Sequence, residues 1–323
     1  MTFVALVLAL FVEQALSPVV QARGEHLAKR WIAWVTQRMQ GRGVLLAWLT
    51  WAVMVLVPAF AAAWVHGVLA HVWSVLAWLW LVTVLVFAVG FSRYAKRLAA
   101  LSEAVELGDE SEVKRMLSEA AVNTPTQGVD AGLDWRARAL GHAALAAHRQ
   151  ALAIVVATLL GWMFGSAVFG VVLYAMAKLA WQAVLQPELA LSDVAATDGG
   201  NATGSQVTPI EVELLQVTQS AWSWIDGLAA RASVLAVAIT GSFERVAMAW
   251  REFGEGWGSA SDRLLLGAVG AGLGLNEGAL VDAVDVGEAG GVVGFQHFSA
   301  LDSMVWRALS FWLVVFAVLA LLS

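Results

Sequence analysis

The feature that most constrains this chain is a long uncharged run that directly follows a polar helix. The polar segment carries His142, His148 and Arg149 and leads into residues without charge from Ala151 to Ala177. A continuous helix over that run would be ~40 Å long, whereas the hydrocarbon core of a bilayer is ~30 Å thick. Three glycines interrupt the run, Gly161, Gly165 and Gly170. The pattern therefore predicts either one tilted span or two half-helices that meet near residues 161–166.

The spacing Gly161-x-x-x-Gly165 has two interpretations. Small residues four apart are typical of close helix packing, and this is the commoner use of such a spacing. Glycines also occur where irregular backbone lines a site at membrane depth. In both cases we expect function at the charged end of this segment, His142 to Arg149.

The overall composition identifies a membrane protein. Hydrophobic residues make up 60% of the 323 residues and charged residues only 14%, and the mean hydropathy is +0.73. A soluble domain cannot bury that much apolar surface. The 17 Trp suit membrane interfaces. The absence of Cys excludes disulfides, thiolate metal sites and a Cys nucleophile, and the net charge of −6 argues against nucleic acid as a partner.

We expect an all-α, polytopic transmembrane bundle whose membrane core covers residues 1–185. Met1 to Val20 is interpreted as a retained membrane segment that is interrupted by Glu13. An acid at membrane depth is costly unless it faces protein or water, so Glu13 is a functional candidate. The alternative is that the helix ends at the interface near Glu13.

Basic residues set the expected topology. Gln21 to Arg42 carries five Lys and Arg residues against one acid, which predicts a cytoplasmic loop. Gly43 to Phe91 has no charge and is long enough for two spans joined near His66 to His71. Residues 92–150 then return to the cytoplasm as a helical hairpin that turns at Gly108-Asp109, with Asp109 and Glu112 in capping-box spacing.

The second half is expected to contain a flexible insertion at 186–219 and a C-terminal part at 220–323. The insertion is rich in small and polar residues and has no Lys or Arg, which favours the periplasmic side. An amphipathic helix is predicted over Ala221 to Trp250, in which Asp226 and Arg231 face different sides. A soluble, Gly-rich loop region follows, and then a last span from Met304 to Leu322.

The sequence GAVGAGLG, Gly267 to Gly274, has two interpretations. Serial glycines let backbone N–H groups approach a phosphate, but close helix packing uses the same small residues. The pattern alone does not decide between a ligand site and a packing surface.

Several segments follow one another in a recognisable order: Phe11 to Gln14 with Ser17-Pro18, the hairpin Arg93 to Leu117, Arg138 to Tyr174, Asp226 with Arg231, and Gly267 to Gly274. In order and spacing they resemble the CobD/CbiB family of cobalamin-biosynthesis membrane proteins. The resemblance is to its divergent branch, which includes the AmpE-type signalling proteins. It covers nearly the whole chain except the insertion.

The resemblance implies a relation to an ATP-dependent amide ligase that attaches an aminopropanol phosphate to a corrinoid carboxylate. Such chemistry needs Mg²⁺-binding acids and donors around the phosphates. Where the family enzyme has Glu-Asn-Thr and an Asp, however, this chain has His148-Arg149-Gln150-Ala151. No metal site is therefore expected. ATP and Mg²⁺ would be cofactors only if ligase chemistry is retained through other acids, such as Glu13, Asp226 and Asp109.

The sequence thus predicts a multi-pass protein of the bacterial inner membrane that senses a ligand or signals and has lost the ligase metal site. Two alternatives stay open: an adenosylcobinamide-phosphate synthase-like ligase, and a structural scaffold for a membrane partner. The expected partners are the lipid bilayer, a small-molecule or corrinoid ligand and another membrane protein, but no nucleic acid. The residues expected to bind the ligand are Glu13, His148, Arg149, Tyr174, Asp226, Arg231, Gly267, Gly270, Gly272 and Gly274.

Four of these residues carry charges that need partners at membrane depth. An unpaired ionisable group there costs about 2.5–3.5 kcal/mol. We therefore expect Glu13, Arg149, Asp226 and Arg231 to converge on one polar, cytoplasm-facing cavity, where Glu13 and Arg149 would neutralise each other.

Overall fold

The computed structural model describes residues 2–15, 18–39, 43–121, 135–185, 209–255, 260–276, 278–285 and 293–322. Within these ranges the chain forms helices and no strand, which confirms the all-α fold class. The helices are α1 Thr2–Ala15, α2 Pro18–Arg38, α3 Val44–Val72, α4 Ser74–Ala88, α5 Phe91–Leu107, α6 Glu110–Ala121, α7 Trp135–Ala147, a π-helical turn His148–Leu152, α8 Ala153–Met163, α9 Ala167–Leu185, α10 Pro209–Thr240, α11 Phe243–Phe253, α12 Ala260–Gly272, α13 Ala279–Asp285 and α14 Gln296–Leu322.

Six helical stretches in the described ranges are long and apolar enough to cross a membrane, so the chain is a multi-pass membrane protein. They are Val44–Val72, Ser74–Leu107, Trp135–Met163, Ala167–Leu185, Val212–Thr240 and Gln296–Leu322. The N-terminal helix α1 is apolar but shorter, about 21 Å, and does not by itself match the bilayer core. Helix α1 ends at Ala15, close to Glu13, and α2 begins at Pro18, which agrees with the expected interruption of the first segment. Retention of this segment in the membrane stays a prediction.

The uncharged run forms two antiparallel helices instead of one tilted span. Helix α8 ends at Met163, and the chain reverses through Gly165, whose φ of 91° is in the left-handed region that favours glycine. The two helices then pack backbone against backbone, since a Cβ on Gly161 would lie 2.8 Å from the Gly170 Cα. Gly161 and Gly170 thus serve close helix packing, whereas Gly165 forms the turn and has no close neighbour among the described residues. The predicted break near residues 161–166 is confirmed.

The two predicted hairpins are also present. Helices α3 and α4 turn at Trp73, shortly after the predicted turn, because His66 to His71 still belong to α3. Helices α5 and α6 turn at Gly108, where the N–H of Asp109 donates to the Ala104 carbonyl and the N–H of Gly108 to Val105, the Schellman pattern.

Asp109 begins α6 as only one half of a capping box. Its carboxylate accepts a hydrogen bond from the Glu112 N–H at 3.1 Å, but the Glu112 side chain pairs with Arg115. Hydrogen bonds from the Ser111 hydroxyl and the Glu112 N–H lower the pKa of Asp109. The predicted stop of this helix at Asn123 to Pro125 lies outside the described residues.

The C-terminal half differs most from expectation. Helix α10 already begins at Pro209, so the insertion predicted for 186–219 is helical in its last part, and residues 186–208 lie outside the described ranges. The single helix expected over Ala221 to Trp250 is two helices, because the chain breaks at Gly241 and Ser242. The region expected to be a Gly-rich loop contains α12 and α13, whose apolar residues are buried.

The helices form two packed parts that share α10. Helices α3, α4, α8 and α9 pack together as the membrane bundle, with α1 and α14 alongside. Helices α11, α12 and α13, here called the α11–α13 unit, pack on one another and against α7 and α10. The π turn between α7 and α8 lies where these two parts meet.

Contacts at the two ends of the bundle bear on topology. Arg93 forms an ion pair with Glu25 at 2.6 Å, so the first two basic segments lie at the same end, as the predicted topology requires. The rings of Phe60 and Phe169 pair at 4.9 Å near the opposite end, by the α8–α9 turn. Helix α9 then returns to pack on α2, and Glu213 of α10 accepts a hydrogen bond from the Gly43 N–H at 2.7 Å. The end of α9 and the start of α10 therefore lie at the basic end, and the side on which the insertion lies stays open.

Cysteine labelling tests this arrangement without background, because the chain has no Cys. A Cys introduced at the exposed Gln37 should be shielded from an impermeant thiol reagent in intact cells, since positive segments stay inside. The control, Phe164→Cys at the opposite end, should be labelled. Labelling at Gln37 but not at Phe164 would overturn the orientation.

Candidate functional site

The site is built around the π turn at His148–Leu152, inside the long helix that runs from Trp135 to Met163. Here the N–H of Ala153 donates to the His148 carbonyl five residues earlier. Such a turn changes the partners of the nearby backbone carbonyls, and the carbonyl of Gln150 accepts the Gly90 N–H at 3.0 Å. The π turn is thereby held against the junction between α4 and α5. π turns within α-helices are frequent at functional sites.

His148 and Asp226 form the centre of a buried hydrogen-bonded network. The His148 Nε2 lies 3.2 Å from Asp226 Oδ1, and the Tyr174 hydroxyl donates to the same oxygen at 2.8 Å. The other ring nitrogen, Nδ1, lies 3.0 Å from the Ser233 hydroxyl. All four residues are almost fully buried. A buried carboxylate needs such donors. Burial of a neutral polar group without a hydrogen bond costs on the order of 2–7 kcal/mol, and burial of an unpaired charge costs more.

The order Ser233, His148, Asp226 is that of a nucleophilic triad, and its geometry argues for a structural role. In a Ser-His-Asp triad the histidine uses Nε2 toward the serine and Nδ1 toward the acid, and here the nitrogens are exchanged. Ser233 is 0% exposed and lies within α10, where the backbone N–H groups are used by the helix. A substrate carbonyl therefore has neither an approach to Ser233 nor an oxyanion hole there.

The next residue, Arg149, reaches the α11–α13 unit. Its Nη2 donates to both carboxylate oxygens of Asp262, at 2.7 and 2.8 Å. The Arg149 side chain is 6% exposed, whereas that of Asp262, in the first turn of α12, is 39% exposed. The guanidinium also stacks over the ring of Trp181 at 4.8 Å, a cation–π contact.

Aromatic rings fill the space between the two polar groups. Trp181 of α9 stacks on Trp222 of α10 with ring centroids 5.3 Å apart and planes at 17°. Tyr174 contacts Trp222 from the other side at 5.4 Å. The rings exclude water from the Asp226 and Arg149 side chains, and the electrostatic interactions of these side chains are strengthened as a result.

Glu13 is fully buried and is bound by a different part of the chain. The N–H of Ser92 donates to both of its oxygens, at 3.1 and 3.0 Å, and the Ser92 hydroxyl donates to Oε1 at 2.8 Å. The expectation that Glu13 and Arg149 neutralise each other is therefore wrong, because Arg149 pairs with Asp262.

Arg231 also lies apart from Asp226. Its guanidinium donates to the carbonyls of Gly227 and Gly254, at 3.2 and 3.5 Å, where α10 meets the end of α11. The expected difference in facing between Asp226 and Arg231 is confirmed. Of the four charges predicted to converge, Arg149 and Asp226 lie in the same part of the molecule, because Asp226 contacts His148, the residue directly before Arg149. A cavity common to all four stays a prediction.

The Gly-rich sequence is a packing surface and a helix end. Gly267 lies against the Phe253 ring, Gly270 against Leu280, and Gly272 against Met304, so these glycines let α12 approach its neighbours. Gly274 ends the helix with a φ of 79°, and the Leu275 N–H donates to the Gly270 carbonyl in a second Schellman pattern. The phosphate-binding interpretation of this stretch is wrong, because its first glycines lie inside a helix.

Sequence reasoning missed Asp262, Ser233 and the aromatic pair Trp181–Trp222. Ser233 could have been found, because it follows Asp226 by seven residues and so shares its face of α10. Asp262 gives no such signal, since 113 residues separate it from Arg149. Within the described ranges no three His, Asp or Glu side chains come together in a way that could hold a metal ion.

Comparisons with family models, with curated proteins and with solved structures found no match to this chain.

The two tyrosines of the chain provide a matched test of the network. Tyr174→Phe should lower stability by about 1–3 kcal/mol, because Asp226 loses a buried donor. Tyr94→Phe is the control: Tyr94 is equally buried, and its hydroxyl has no hydrogen-bond partner among the described residues. That substitution should be neutral or stabilising. Thermal unfolding of the two variants in detergent measures the difference, and equal losses would contradict the role given to Tyr174.

Proposed function

We propose that this chain is a ligand-sensing or signalling protein of the bacterial inner membrane and a divergent relative of the CobD/CbiB family. The network around His148 and Arg149 is its sensing site. The observation that carries the proposal is the ion pair between Arg149 and Asp262. It joins a π turn within a membrane helix to the first turn of α12, so a change at one position acts on the other.

The surroundings of the ion pair support a relay from the membrane bundle to the α11–α13 unit. Helix α12 packs on α10, α11, α13 and α7, so displacement of Asp262 acts on a body of helices instead of a loose segment. On the membrane side, Arg149 follows His148, whose ring contacts Asp226 and Ser233 on α10. Coupling between two sites requires a contiguous element of this kind that both sites can bias.

The carboxylates do not fit the Mg²⁺ and ATP that the family resemblance implies. Mg²⁺ is held in such sites by carboxylates together with phosphates and water. Asp226 accepts from Tyr174 and contacts His148, Asp262 binds Arg149, and Glu13 accepts from Ser92. Asp109 caps the exposed helix α6. The acids named for a retained ligase are thus engaged at separate places, which favours sensing over amide ligation.

The relay predicts that loss of the Asp262 charge destabilises both α12 and the π turn. Asp262→Asn should raise amide hydrogen exchange in residues 260–272 and 148–153, because the buried guanidinium of Arg149 loses its counter-charge. We expect an increase of about tenfold, since the pair is partly exposed and solvent weakens its interaction. Glu112→Gln breaks the exposed pair with Arg115 and serves as the control. It should change exchange only in α6. Unchanged exchange at both ends of the Arg149–Asp262 pair would remove the relay.

A binding measurement separates sensing from ligation. Protein purified in detergent is titrated with Mg-ATP, with and without a corrinoid acid. We expect no nucleotide binding, because the described acids are already engaged. Mg²⁺-dependent ATP binding that strengthens with the corrinoid acid would overturn the proposal in favour of the ligase.

A further inference from the structure

Arg149 has donors that the protein itself does not use. Its Nε and Nη1 are buried and have no hydrogen-bond partner among the described residues. Only Nη2 is engaged, by Asp262. A buried guanidinium N–H without an acceptor is destabilising, so such groups in native proteins normally meet a water, an ion or a ligand.

The other contact of Arg149 does not satisfy these donors. The guanidinium carbon lies over the Trp181 ring, 4.8 Å from its centroid. The ring therefore stabilises the positive charge, but it does not replace the oxygen acceptors that the N–H groups of an arginine need. A fixed, planar donor set is what makes arginine selective for oxyanions.

We propose that Arg149 binds an oxyanion, a carboxylate or phosphate group of a small ligand or of a lipid. This inference rests on the proposed function and names the ligand class of the same site. The bound oxyanion accepts hydrogen bonds from the guanidinium edge formed by Nε and Nη2. Because Nη2 is held by Asp262, full bidentate binding requires Asp262 to give up part of its contact.

The nearby charges also point to exchange instead of simple addition. The charge of Arg149 is already balanced by Asp262, with which it forms an ion pair at 2.7 Å. An anion added beside this pair would leave it with a net negative charge unless the carboxylate withdraws. Asp262 is 39% exposed and can turn toward water. Ligand binding is thereby converted into release of α12.

A second buried donor lies beside Asp262. The hydroxyl of Ser261 is buried and has no hydrogen-bond partner among the described residues. Asp262 and Ser261 both belong to the first turn of α12, so a movement that withdraws the carboxylate also moves this hydroxyl. Serine hydroxyls commonly add to arginine in phosphate and carboxylate recognition.

The test measures stabilisation of the full-length protein in detergent by sodium phosphate and by sodium acetate, each against sodium chloride at equal ionic strength. One of these anions should raise the midpoint of thermal unfolding of the wild type and of the control Arg115→Lys, which changes an exposed arginine of α6. Arg149→Lys keeps the charge but loses the planar edge, so its stabilisation should be lost. Asp262→Asn removes the competing carboxylate and should bind the anion about tenfold more tightly.

A lipid source is distinguished in a second arm. The same variants are reconstituted in phosphatidylglycerol or phosphatidylcholine vesicles, extracted, and analysed for retained lipid by native mass spectrometry. Retention of phosphatidylglycerol by the wild type and Arg115→Lys, but not by Arg149→Lys, would assign the oxyanion to a headgroup. The tighter anion binding expected for Asp262→Asn tests the proposal separately, even if the Arg149→Lys variant does not fold.

The proposal is overturned if neither the soluble anions nor the lipid act through Arg149 and Asp262→Asn brings no gain. Water would then satisfy Arg149. That result would leave the relay intact, because the exchange experiment on Asp262→Asn is read without any ligand. Conversely, anion binding without a change in α12 exchange would keep the site and remove the relay.

Discussion

The ion pair between Arg149 and Asp262 is the interaction on which the arrangement of this protein depends. The Arg149 side chain is 6% exposed and lies inside a largely apolar bundle. Its partner Asp262 belongs to α12, which begins at Ala260. Removing Asp262 leaves the buried guanidinium without its counter-charge, at a cost below the about 3–5 kcal/mol of a fully buried pair because Asp262 is partly exposed. The packing of α12 against the π turn is therefore an electrostatic requirement as well as a hydrophobic one.

Glu13 shows why the predicted pairing of charges failed. The sequence argument assumed that a buried acid needs a cation, and Arg149 was the available one. Ser92 is the second residue of α5, and its N–H belongs to the first turn, where free N–H groups and the helix dipole favour a negative charge. Donors at a helix start thus contribute to the stabilisation of Glu13, and Arg149 pairs with Asp262.

The parts of the fold that could be predicted are those set by local sequence. Uncharged runs gave the hairpins around Trp73 and Gly165, and Gly108 marked a turn because a Schellman pattern favours glycine. The break at Gly241 and the helix at Gly267 to Gly272 were missed. A glycine string is compatible with a phosphate loop or a packed helix, and only the neighbours, here Phe253, Leu280 and Met304, decide between them.

The π turn explains how two adjacent residues can serve two different parts of the molecule. Neighbouring side chains on a helix point about 100° apart, so His148 and Arg149 can face α10 and α12 separately. The extra residue of the π turn also changes which faces α7 and α8 present, so α7 packs on α13 while α8 packs on α9. A regular helix through this segment would align only one of these contacts. The irregular turn is thus what allows the buried network and the α11–α13 unit to be joined through a single arginine.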